Sequence, residues 1–199
     1  PKRLTELENQ YQVEKDPHQR EELQMWIGYF QAMVQSFPRL KTILPNVTFT
    51  KELTIYGGKR EARLISYEQG HTGSDLILYL PREKIVFTGD LVFIKMHPYL
   101  ADGFPNHWIE ILEDMSRMKI QKVVPGHGPV GDADDVTTML HYIKTATEIV
   151  EKMSEQGKSI EEILAQPIPS PFTDWYFPRF YKINMRFLYG RNEQGVESN

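Results

Sequence analysis

The chain has 199 residues, 40% hydrophobic and 25% charged, which suffices for one domain with a sizeable core and is too apolar for global disorder. A net charge of −4 without a Lys/Arg stripe argues against a nucleic-acid partner, and the absence of cysteine excludes disulfides, thiolate metal sites and a cysteine nucleophile. No apolar run reaches the ~20 residues that span a bilayer, so no membrane partner is expected, and the cysteine-free sequence fits a reducing, cytoplasmic setting.

Residues 3–37 read as helical: Asp16-Pro17 supplies an N-cap and a first-turn proline, and Leu23, Trp26, Ile27, Phe30, Val34 and Phe37 form an apolar stripe ended by Pro38. This helical entry segment, 1–46, carries no obvious chemistry. From residue 47 the period becomes strand-like, at 47–50 and 53–56, with Gly57-Gly58 turning the chain into 61–67. Strands follow at 75–80 and 84–88, a helix at 106–118 with Trp108, Ile111, Leu112 and Met115 inward, and a short strand at 122–124. Asp132 caps a long helix over 133–156, and Ser159-Ile160-Glu161-Glu162 is a capping box. Beyond Pro167 lies an aromatic tail that includes Trp175, Tyr176, Phe180 and Tyr181; such residues serve as packed core, as a substrate pocket or as an interface with a second copy of the chain. The order predicts one α/β (α+β) domain over 1–199, with a mostly antiparallel sheet and its ligand-bearing loops at 47–131, helices on one sheet face, and C-terminal helices at 132–199. The other face then needs a cover, and a homodimer is one way to supply it.

Three glycine-rich bends follow strands and each projects a His or Asp: Gly70-His71-Thr72-Gly73-Ser74-Asp75, Phe87-Thr88-Gly89-Asp90 and Val124-Pro125-Gly126-His127-Gly128-Pro129. Two imidazoles and a carboxylate suit zinc, iron or manganese, but the long intervals between them match no local ligand motif, and a histidine in such a turn can equally be structural.

In this order, the three bends resemble those of the metallo-β-lactamase superfamily, over about residues 60–132. The resemblance implies half of an αβ/βα sandwich with the metals between two sheets. It implies that His71 serves one metal, His127 the other, and Asp90 bridges both as the catalytic carboxylate. The reaction it implies is hydrolysis of a small ester, thioester, lactam or similar substrate by a hydroxide held on two zinc ions. The family's His-x-His-x-Asp-His motif is missing: before His71 the only histidine is His18. Pro1 is therefore expected to begin just after that motif, and the chain is expected to be the C-terminal half of the enzyme, inactive alone and weak in metal binding.

Further candidates keep two readings each. Asp75 either orients His71 from a second layer or simply opens the next strand. His97 and Tyr99 either line the pocket mouth and touch substrate, as the His-Pro-Tyr wording resembles in some family members, or form an ordinary proline-fixed loop. Asp102-Gly103 either aims a carboxylate at substrate or makes a turn. His107 and His141 read as surface positions. Two other functions compete with the hydrolase: an iron-dependent oxygenase or redox protein on the same ligands, and a scaffold that has lost its metal centre.

Overall fold

The computed structural model describes residues 2–193. Its contacts divide the chain into two compact units, Pro1–Thr48 and Phe49–Asn199, where the sequence suggests one domain.

The first unit is a helical pair, α1 (Lys2–Val13) and α2 (Pro17–Ser36), followed by a 3-10 turn at Phe37–Arg39. The break falls at Asp16, whose side chain accepts from the Gln19 N–H at 2.9 Å, with Pro17 at the first helical position. Arg20 fastens the corner: its guanidinium donates to the carbonyls of Tyr11 and Glu14, each at 2.8 Å, and lies over the Tyr11 ring. The side chain of His18 lies outside the described residues.

The second unit is built on one five-stranded sheet in the order β1 (Glu52–Gly57), β2 (Arg60–Tyr67), β3 (Asp75–Leu80), β4 (Ile85–Phe93) and β5 (Lys122–His127). The first four strands pair antiparallel, and β5 runs parallel to β4 because α3 (Pro105–Ser116) carries the chain back between them. The strand expected at 47–50 does not form. Those residues pair with no strand, and the nearest ladder contact is the Lys51 carbonyl accepting from Ser66 N–H at 2.8 Å.

Alternation along the strands sets the layers. Ile77, Tyr79 and Val86 point into a core closed by Trp108, Leu112 and Met115 of α3 and by Val136, Met139, Tyr142 and Ile143 of α4 (Ala133–Glu155). The intervening Leu76 and Phe87 face the other way and are 48% and 41% exposed. Lys144 ties α4 to α3 by donating to Glu113 at 2.6 Å, which holds that carboxyl below its ordinary range. Asp132 caps α4 in a reciprocal box with Asp135, and Ser159 does the same with Glu162 for α5 (Ile160–Leu164). The aromatic tail leads into α6 (Pro178–Glu193) and is largely core: Phe172, Tyr181, Met185 and Leu188 are buried, while Tyr176 is exposed. Among the described residues no helix is long and apolar enough to cross a membrane.

Candidate metal centre

Strand direction gathers the three bends at one sheet edge. β4 and β5 are parallel, so Asp90 near the end of β4 and His127 at the end of β5 leave the sheet on the same side. β3 is antiparallel to β4, so the turn that precedes β3 and carries His71 arrives at that same edge. His71 Nδ1 stands 3.9 Å from Asp90 Oδ2, and His127 Nε2 stands 3.5 Å from Asp90 Oδ1. Both gaps exceed an ordinary hydrogen bond. They lie near the ~3.4 Å that separates two donors on a tetrahedral zinc ion. Each oxygen of one carboxylate thus faces its own imidazole. Among the described residues, no group of three or more His, Asp or Glu side chains could hold a single ion. Each side therefore offers two candidate donors, where catalytic zinc usually has three from protein.

The backbone around the donors is packed too tightly for side chains. A Cβ on Gly126 would collide with Asp90 Oδ1 and lie 2.7 Å from the Gly89 carbonyl carbon. Gly128 adopts φ +102°, against the Ile94 carbonyl, a conformation open to glycine at low cost. Asp75 shapes the His71 turn by accepting from the N–H groups of Gly70 at 3.1 Å and Thr72 at 2.9 Å, and from the Thr72 hydroxyl at 3.1 Å. It therefore braces the backbone on both sides of His71, and its bonds go to Gly70 and Thr72 rather than to the imidazole. Gly103 and Phe104 back the turn from behind, with Phe104 N–H donating to the Gly70 carbonyl at 2.9 Å. Asp102-Gly103 is thus turn chemistry, closed by Gly103 N–H on the Leu100 carbonyl.

His97 needs a correction. It does not line a pocket mouth: it is fully buried, with Nδ1 at 3.1 Å from the Tyr142 hydroxyl and its ring among Tyr142, Trp175 and Tyr181. Asn184 completes the network by donating to the Pro98 carbonyl and the Tyr142 hydroxyl, and by accepting from Leu100 N–H. α4 and α6 close over the loop from directions that its own sequence does not reveal. Tyr99, half-buried, packs edge-on against Phe180 of α6, so its recorded contact is structural. His141 is exposed, as read from the sequence.

Burial lowers the His97 pKa to about 4 from an ordinary 6.5. The titratable groups facing it, Tyr142 and Tyr181, are both pushed up by burial and stay neutral in acid. Because the folded pKa is depressed, His97 favours folding fully above pH 6.5, and this support is lost as pH falls towards about 4. Between pH 8 and pH 5 the loss should be about 2 kcal/mol, read from urea midpoints, and His97→Phe should flatten that slope.

Two side chains beside the donors were read from sequence only as apolar positions or not singled out. Trp108 stands edge-on to His71, with ring centroids 5.4 Å apart, and its indole N–H donates to the Leu91 carbonyl at 2.9 Å. Phe93 contacts both imidazoles. Its position three residues after Asp90 on one strand was the available signal. A cleft of about 680 Å³ beside α3, lined by Lys51, Tyr67, His107, Asp114 and Arg117 among others, contains none of the three donors.

Residues 9–127 match the family model described as the metallo-beta-lactamase superfamily. Over 100 residues the chain is 36% identical to a metallo-beta-lactamase type 2 of Bacillus sp. (strain 170), covering 48% of this chain and 35% of the relative. It is likewise 36% identical over 81 residues to a metallo-beta-lactamase type 2 of Bacillus cereus, covering 38% of this chain and 32% of that protein. The matched stretch spans about a third of each of these relatives. An inverting sec-alkylsulfatase from a Pseudomonas species superposes with TM-score 0.55 at 16% identity, over 78% of this chain and 28% of the enzyme, a likeness of fold alone.

Proposed function

Because this chain belongs to the metallo-beta-lactamase superfamily, we propose that it is the C-terminal part of a metal-dependent hydrolase acting on a small ester, thioester, lactam or similar substrate. The observation that supports this most directly is the pair of imidazoles set against separate oxygens of one carboxylate. His71 and Asp90 would hold one divalent cation, and His127 and Asp90 the other. Zinc is the first candidate, and iron or manganese would accept the same donors. A cation held there supplies a water of lowered pKa, hence a nucleophile at neutral pH. The chain's own part is to hold the donors still. Asp75 fixes the turn of His71, parallel β4–β5 pairing sets Asp90 against His127, and Gly126 lets the carboxylate lie against the backbone.

Two donors per cation leave each side one short, so we assign the remaining ligands to polypeptide outside these 199 residues and place the complete enzyme in the cytoplasm. The 199-residue chain alone should take up zinc weakly in a calorimetric titration and turn over no ester or lactam. Asp90→Asn should weaken both sides at once. The full gene product should carry two zinc ions and lose hydrolysis to a chelator. Tight, stoichiometric zinc on the 199-residue chain would refute the missing donors, and a full gene product without bound metal would refute the hydrolase reading.

A further inference from the structure

Imidazoles that bind metals are commonly aimed by a hydrogen bond from the second ring nitrogen to a carboxylate or carbonyl. Among the described residues, the ring nitrogens of His71 and His127 have no recorded polar neighbour other than Asp90. Something else must aim the rings. His71 is 17% exposed and enclosed by aromatic neighbours, but His127 is 51% exposed and has little cage of its own.

Both rings share one neighbour. The Phe93 phenyl stacks on His127 with centroids 5.0 Å apart and planes 16° from parallel, and it lies 5.8 Å from the His71 ring at 51°. Phe93 is buried at the end of β4, in parallel register with His127. The next residue, Ile94, donates its N–H to the His127 carbonyl at 3.0 Å. The phenyl is thus fixed by the same backbone pairing that places His127, and its face limits how that imidazole can rotate.

We propose that Phe93 is a positioning residue that turns both imidazoles towards Asp90, an assignment that rests on reading His71, Asp90 and His127 as metal donors. An aromatic contact of this kind shifts the ratio of aligned to misaligned rotamers by about two- to twelvefold. Trp108 contacts only His71, whereas Phe93 is the aromatic side chain that meets both imidazoles.

The test is nuclear magnetic resonance of the metal-free 199-residue chain with carbon-13 in its histidines. In the unaltered chain, His127 should occupy one dominant rotamer, and its ring protons should be displaced upfield by the phenyl face. Phe93→Leu should lower the aligned fraction of His127 by about two- to twelvefold in rotamer ratio while distant backbone amides keep their positions. Phe93→Tyr, which keeps the ring, should restore it. A purely packing role would leave the imidazole rotamers unchanged in the leucine variant, and that result overturns the proposal. Should the leucine variant fail to fold, the unaltered chain still decides: free-imidazole shifts and averaged rotamers for His127 would refute the assignment. Neither metal nor substrate enters this readout. Ordered imidazoles with no zinc binding by any form of the protein would sink the hydrolase reading alone.

Discussion

Trp108→Ala is expected to destabilise the sheet unit by about 3–5 kcal/mol, measured as a fall in urea midpoint at unchanged slope. Trp108 is fully buried at the junction of α3 and the sheet, and it touches the His71 ring. Alanine would leave a cavity that α3 cannot collapse into, because its neighbours Leu112 and Met115 are themselves completely buried. Trp108→Phe separates packing from hydrogen bonding. It keeps much of the volume but removes the indole donor to the Leu91 carbonyl, for an expected loss of about 1–3 kcal/mol. A midpoint unchanged in the alanine variant would mean that α3 is not anchored through this side chain.

Gly126→Ala should damage the candidate centre more than the fold. The added methyl collides with Asp90 Oδ1 and crowds the Gly89 carbonyl oxygen at 2.8 Å, so the carboxylate must swing away or β4 must part from β5. Overpacking of this size costs about 1–3 kcal/mol in stability. For metal the effect is larger, because both oxygens of Asp90 face imidazoles and neither can move without leaving its partner. Zinc affinity of the full gene product should drop about 10–100-fold, as when a supporting group of a metal ligand is lost. Affinity unchanged in a folded Gly126→Ala protein would show that Asp90 does not need its close seat against the backbone.

Much of the second unit was legible because its signals are local. The turn after β1, which falls at Gly58-Lys59 one residue beyond the Gly57-Gly58 expected, the apolar run of β3, the inward face of α3, the N-cap at Asp132 and the capping box at Ser159 depend on residues within a few positions of one another. The strand expected at 47–50 failed because β-propensity needs a partner strand, and none is offered there. His71, Asp90 and His127 stood out as strand-end residues in glycine bends, yet their spacing alone could not say that they meet.

His97 shows the limit most clearly. Its sequence neighbourhood, a His-Pro-Tyr loop shortly after Asp90, was compatible with a pocket wall. Its environment is instead decided by Tyr142 from α4 and by Trp175, Tyr181 and Asn184 from the tail, all distant in sequence. Phe93 was hidden for the same reason, since its meaning lies in lying between two rings from separate turns.

By itself, then, the sequence determined the candidate donor types, the turns that present them and the helices that cover the sheet, because those follow from side-chain chemistry and short-range periodicity. Only the tertiary structure decided that His71, Asp90 and His127 converge, that each imidazole faces its own oxygen of Asp90, and that His97 belongs to the core. The reason is that strand direction and helix packing join residues dozens of positions apart, and no local pattern encodes which of them will touch.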